Sequence, residues 1–367
     1  MYVIQMIING ILLGGIYAIL GVGMTMIFGI VKLTNLAHGE FVIIGAYAST
    51  LISQALGVDP ILTLIVTIPF MFLIGMLLQT GLINRVMLKG SEPALLVTFG
   101  LSIILKDAML LLFTADARHA GAAYSSVILK VGPQLFLGIM LAIIIIGAAG
   151  AIILKTRHTK MVNARVESGV EAGEESTKKE HRLKSLFYVF LVAALVALAI
   201  FLWVLIYGYS QNTGTIAIDY LNISLLDIIL LAISLLSILV LTLFLNKTYM
   251  GRSIRATSDD TQAASLMGVS VKRTYAIAMG IAMATAAVAG LCIGLKWTFY
   301  ASSGGSYLLI AFGVVVIGGM GSIPGTLVAG LVFGLAQVIG GANYGLLISY
   351  ILLIIMLAVR PQGLFSK

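Results

Sequence analysis

The polar residues best placed to do chemistry form a knot, Thr34-Asn35-Leu36-Ala37-His38-Gly39-Glu40, between two long apolar stretches. Asn35, His38 and Glu40 supply hydrogen-bonding and ionisable groups where a helix is interrupted, and Gly39 permits a sharp backbone path. At membrane depth this is how a midplane transport site or gate is built; a plain cytoplasmic turn is the other reading. A second polar pair, Lys106-Asp107, lies inside an apolar stretch. Neighbouring helix residues point about 100° apart, so each of the two must find its own partner. Ionisable groups at that depth mark a substrate path, a bundle-facing ion pair or a span shifted toward its outer end. Asp227 and Lys296 sit at the ends of apolar stretches, where snorkelling satisfies a charge.

Enzymatic patterns are absent from the sequence. There is no GxxxxGK[ST] to cradle nucleotide phosphates and no HExxH. The four histidines, His38, His119, His158 and His181, are scattered. The Ser-rich turn from Ala301 to Ser306 has no GxSxG frame and no nearby His. Cys292 stands alone, which excludes an internal disulfide and a cysteine-based zinc cage. The expectation is therefore no catalytic residues, no metal ligands and no cofactor bound by this chain.

These groups have to be positioned by elements that live mainly in lipid. Of 367 residues, 60% are hydrophobic and only 10% charged, against about a quarter charged in soluble proteins, and mean hydropathy is +1.11. The net charge of +8 accordingly speaks of membrane topology and not of nucleic acid. A span needs roughly 20 apolar residues. Such stretches fall near 3–31, 41–57, 61–83, 93–113, 136–154, 186–207, 225–245, 275–295, 306–320, 326–342 and 345–359, predicting an all-α polytopic membrane protein with about 9–11 transmembrane helices. The Gly-rich 306–342 region could hold a re-entrant piece. Gly10–Gly14, Gly290–Gly294 and Gly330–Gly334 are GxxxG pairs suited to helix packing, within the chain or against a partner subunit.

Lys and Arg set the orientation. Eighteen fall in 32–40, 84–92, 155–185, 246–274 and 360–367, while Arg118, Lys130 and Lys296 fall on the other side. This places the first set in the cytoplasm, the N-terminus outside and the C-terminus inside. The first basic residue is Lys32, so the opening span reads as retained and not as a cleaved signal. Segment 155–185 carries eight basic and five acidic residues without apolar periodicity and reads as a solvated linker. Segment 246–274 differs. From Asp259 to Met267 it reads as a short amphipathic helix with Thr257 or Ser258 as N-cap, Asp259 and Asp260 in the first turn, and Gly268 as the stop.

Three separated blocks carry a family resemblance. GGIYAILGVGMTMIFGIVKLTNLAHGEFVIIGAY, MGRSIRATSDDTQAASLMGVSVKRTYAIA and GGMGSIPGTLVAGLVFG resemble, in this order, the branched-chain amino acid ABC transporter permeases of the LivH type, over about 1–135 and 221–367. The NxAHGE knot (Asn35, Ala37, His38, Gly39, Glu40) and the GSIPG turn (Gly321, Ser322, Pro324, Gly325) correspond to family hallmarks. Gln262-Ala263-Ala264 with Gly268 resembles the EAA-x3-G core of importer permeases, with Gln in place of Glu. The resemblance implies an ABC importer permease fold in which the 259–268 helix, with Arg255, Asp259, Gln262, Ala263, Ala264 and Gly268, docks on an ATPase subunit. It further implies a second permease subunit, identical or similar, two cytoplasmic ATPases that bind ATP and Mg, and an extracytoplasmic substrate-binding protein, in a prokaryotic inner membrane. Leucine, isoleucine and valine are the implied substrates, with urea or short amides an alternative. An ion-coupled secondary transporter is the reading from another class; it would need intramembrane carboxylates, for which Glu40 and Asp107 are the candidates. The departure from the family is 136–220, which reads as an inserted helical hairpin carrying the charged linker within one permease domain.

Overall fold

Tyr2–Val31 forms one helix, α1, because its 30 residues include neither Pro nor a charged side chain. At 1.5 Å per residue it is about 45 Å long. The structure, a computed structural model, describes residues 2–31, 33–87, 91–131, 221–360 and 362–365. Helix α2 (His38–Leu56) ends at Gly57, whose φ of 63° closes it. Asp59 caps a 3-10 turn beginning at Pro60, accepting from the Ile61 N–H at 2.8 Å, and α3 (Leu64–Leu78) follows, running through a π turn into α4 (Asn84–Met87). Then come α5 (Ser91–Phe113), α6 (Leu225–Lys247), α7 (Tyr249–Asp259), α8 (Thr261–Leu266), α9 (Val271–Lys296), α10 (Gly304–Gly318) and α11 (Ile323–Val359).

Tyr2–Ile128 and Ile223–Lys367 make one compact unit. Short strands Ile128–Val131 and Leu221–Ser224 pair where the described residues break off and resume. The predicted spans 136–154 and 186–207 and the linker 155–185 lie outside the described residues. Among those described, seven helical segments are long and apolar enough to cross a membrane, and α10 is a shorter apolar helix. The fold class is therefore all-α and polytopic. The predicted spans 326–342 and 345–359 are the two arms of α11, which reverses at Gly341 with φ 64°. Ser349 Oγ donates back to the Phe333 carbonyl at 3.3 Å, so the second arm lies against the first.

Glycine sets the helix spacing. A Cβ on Gly14 would stand 2.6 Å from Leu331 Cα, and one on Gly334 2.5 Å from Gly14 N. Gly290 likewise lies against the Val42 carbonyl, at 2.3 Å from such a Cβ. Small residues thus let backbones touch, which is the main attraction available where lipid is as apolar as Leu. These contacts are made within the chain. Helices α1 and α9 form the buried centre, while α5 and the far arm of α11 turn most of their side chains outward.

Two elements start halfway through the bundle. A Cβ on Gly23 would meet Thr285 Oγ1, in the middle of α9, and the His38 ring together. The first turn of α2 therefore lies beside the midpoint of α9, well short of the end of α1. The first residue of α10, Gly304, meets the Glu40 carboxylate at the same level. From there α2 runs alongside the second half of α9, with Gly45 against Ala287. Helix α10 runs the other way, to the end where Gly318 meets Gly325. Their N-termini converge at mid-depth.

Candidate functional site

The knot is a re-entrant turn. Asn35 organises it: its Oδ1 accepts from the Ala37 N–H at 3.1 Å and its carbonyl from the His38 N–H at 3.2 Å, an Asx-type arrangement that turns the chain without a helix. His38 Nε2 lies 3.2 Å from the Leu20 carbonyl, and the histidine is completely buried. Gly39 is required by space, since a Cβ there would stand 2.0 Å from the Gly304 carbonyl oxygen. Glu40 is 3% exposed and its carboxylate lies against the first residue of α10. A negative group is favoured at that helix end. One of its oxygens, Oε2, and His38 Nδ1 have no hydrogen-bond partner among the described residues. The knot thus lies at mid-depth of the bundle, beside the middle of α9, whereas the sequence reading puts 32–40 as a whole on the cytoplasmic side. The α1 helix ends at Val31, and the chain after it climbs back along α1.

Helix α5 completes the site. Thr98 Oγ1 lies 3.3 Å from both the Leu36 N–H and the Thr34 carbonyl. One turn on, Ser102, and a further turn on, Lys106, come near enough to Glu40 to act on its carboxylate. Sequence reasoning passed over Thr98 and Ser102. The i, i+4, i+8 spacing of 98, 102 and 106 in an otherwise apolar helix is the signal that could have found them. Lys106 and Asp107 face different ways, as adjacent helix residues must: Lys106 is half-buried and its charge acts on Glu40, while Asp107 is exposed. Asp107 therefore stands outside the site.

The Gly321–Gly325 turn is built for packing. Gly321 has φ 88°, Ser322 Oγ accepts from the Gly325 N–H at 3.2 Å, and Pro324 occupies the first turn of α11. Gly325 presses on the Gly318 carbonyl, 2.1 Å from where its Cβ would be. Across from this turn, the segment predicted as one helix over 259–268 divides in two. Asp260 breaks it with an extended φ of −144° and caps α8, accepting from the Gln262 and Ala263 N–H groups at 2.8 and 3.0 Å. The predicted caps Thr257 and Ser258 lie inside α7 instead: Thr257 back-bonds to Ser253, and Ser258 donates to the Gly29 carbonyl at the end of α1. A carboxylate accepting two N–H bonds outcompetes a hydroxyl that already has a backbone acceptor.

Gly268 stops α8 as predicted, with φ 83°, and the Gly268 and Val269 N–H groups return to the Ser265 and Ala264 carbonyls. Gln262 and Ala263 are exposed, while Ala264 is buried against the bundle. Leu266 and Met267 project outward, 87% and 86% exposed. Between α7 and the 321–325 turn lies a partly open cavity of about 470 Å³, which brings Arg255 and Asp259 to the same place as Gly321, Ser322 and Pro324. At the opposite end of the bundle, Lys296 and Asp227 pair at 2.5 Å. Snorkelling was expected of each; packing of α9 on α6 brings them together.

A helical bundle with a polar re-entrant pair at mid-depth and a short exposed helical segment at one end is the architecture of a membrane transport subunit. Over residues 6–207 and 93–357 the sequence matches the family described as branched-chain amino acid transport system, permease component, and the chain belongs to that family. It is 27% identical over 380 residues to the high-affinity branched-chain amino acid transport system permease protein LivH of Escherichia coli K12, covering 100% of this chain and 96% of that protein. BraD of Pseudomonas aeruginosa, described in the same words, is 27% identical over 379 residues, covering 99% and 96%. The probable branched-chain amino acid transport permease LivH of Methanocaldococcus jannaschii is 22% identical over 379 residues, covering 98% and 92%. No solved structure matches the chain.

Proposed function

We propose that the chain is a membrane-spanning permease subunit of an ATP-driven importer for leucine, isoleucine and valine, in a prokaryotic inner membrane. The observation that carries this reading is the α7–α8 segment. It is tied to α6 and α9 at its two ends, anchored to α1 through Ser258, and presents Leu266 and Met267 beyond the bundle. An exposed apolar pair of this kind calls for a partner surface. In this reading the segment faces the cytoplasm, with Lys247, Arg252, Arg255, Lys272 and Arg273 around it, and docks on an ATPase subunit that binds ATP and Mg. A second permease subunit, a second ATPase and an extracytoplasmic binding protein complete the assembly.

Nucleotide-driven closure of the ATPases moves α7–α8 as a rigid lever. The lever acts on the end of α1 and on the Gly321–Gly325 turn, and so on α10, whose other end meets Glu40. The knot of Asn35, His38, Gly39 and Glu40, with Lys106, is the gate of the solute path. Two helix N-termini and unpartnered polar atoms there suit a polar solute that must be briefly desolvated. Affinity purification in mild detergent with mass spectrometry tests this reading. ATPase chains, with a second permease or a second copy of this chain, are the expected companions. Recovery of the chain alone, with uptake that persists without ATP, would overturn it in favour of ion-coupled transport through Glu40.

A further inference from the structure

The cavity beneath α7 carries both charges of a ligand site on one helix face. Arg255 and Asp259 are one turn apart, so their side chains emerge about 5–6 Å from each other. They do not pair: Arg255 donates to Asn246 Oδ1 at 2.9 Å, and no ion pair joins it to Asp259 among the described residues. Both line the cavity at its exposed rim, and its remaining wall joins the aliphatic side chains of Met26, Ile30, Leu245 and Ile323 to the hydroxyls of Thr25, Thr242 and Ser322. Its volume of about 470 Å³ is that of a small-molecule site. A cation and an anion at this separation, not paired with each other and set beside aliphatic side chains, complement a molecule that carries a carboxylate and an ammonium on neighbouring atoms next to a branched hydrocarbon.

We infer that this cavity binds a free zwitterionic aliphatic amino acid from the α7–α8 side, and that its occupancy opposes movement of α7 against the 321–325 turn. This rests on the reading above, in which that side is cytoplasmic and such amino acids are the imported solutes. The cavity would then act as a brake sensing accumulated product.

Binding of tritiated leucine to the full chain in nanodiscs of phosphatidylcholine and phosphatidylglycerol, which lack an ethanolamine headgroup, tests the site. Saturable binding is expected. Isopentylamine and 4-methylpentanoate, each lacking one charge, should compete at least about tenfold more weakly, as loss of a charged hydrogen bond implies. Arg255→Gln should weaken binding about tenfold, and Thr242→Phe, which fills the cavity from α6, should abolish it. No saturable binding, or binding unchanged in both variants, overturns the site.

The brake is read in proteoliposomes of the assembled transporter, as the ratio of initial leucine import with and without leucine on the ATP side. A fall that disappears in Thr242→Phe supports it; a ratio of one in the unaltered protein overturns it. Absence of any ATP-driven leucine import overturns the importer reading instead, while the nanodisc result decides the site separately.

Discussion

Gly39 and Gly268 are both indispensable on the geometry, and for opposite reasons. At the mid-depth knot the backbone is ordinary and the space is gone, because a Cβ on Gly39 would lie 2.0 Å from a carbonyl oxygen of α10. At the end of α8 the space is open, with nothing within 4 Å of a Cβ, but φ is 83°. The first glycine permits an approach and the second a turn. The knot is a locked junction in the bundle's interior, whereas α7–α8 is a capped, self-contained unit with an outward surface. In the proposed function the gate lies in the first setting and the docking lever in the second.

The largest effect is expected at the knot. Gly39→Ala has no neighbouring flexible side-chain end to displace, and the clash is with backbone; a loss of about 3 kcal/mol is expected, read as a lowered melting temperature in detergent with loss of uptake. An unchanged melting temperature would show that α2 and α10 can separate freely and would break the contrast. Next is Gly268. The left-handed conformation costs an ordinary residue about 1–2 kcal/mol, but Asn tolerates it. Gly268→Arg should leave the protein in the membrane yet uncouple uptake from ATP hydrolysis, while Gly268→Asn should remain close to the parent. Equal damage from both would mean that the surface, not the turn, is decisive.

A third comparison separates Lys106 from Asp107. Lys106→Met removes the cation facing a buried carboxylate, and Glu40→Gln removes that carboxylate's charge. The double variant should be less impaired than the sum of the singles by about 1 kcal/mol, measured from uptake rates. Asp107→Asn should couple with neither. The smallest effect is expected from Lys296→Met, which breaks a partly exposed ion pair worth about 1 kcal/mol or less and should shift the melting temperature only slightly.

Much of this was readable in the residues. Apolar runs longer than a bilayer needs fix where the spans lie, since uncharged segments of that length have no other favourable solvent. Gly268 was legible as a helix stop, because an αL residue after a short run of helix formers has few alternatives. The cap of α8 is not legible in the residues: Thr257, Ser258 and Asp260 are all acceptable caps by type, and only the tertiary bond of Ser258 to Gly29 leaves Asp260 to do it. Lys296 and Asp227 are 69 positions apart, and no local pattern pairs them.

What the sequence determined by itself is the solvent, the helices, their stops and the family, all of which follow from local composition and short motifs. What the tertiary structure decided is depth and company. That Glu40 lies halfway through the bundle against the start of α10, with Lys106 facing it and Asp107 turned outward, depends on how far the chain climbs back along α1. That distance is set by close glycine contacts of α2 with α9 and α10, Gly45 on Ala287, Gly290 on Val42 and Gly39 on Gly304, residues remote in sequence whose fit exists only once the helices are packed.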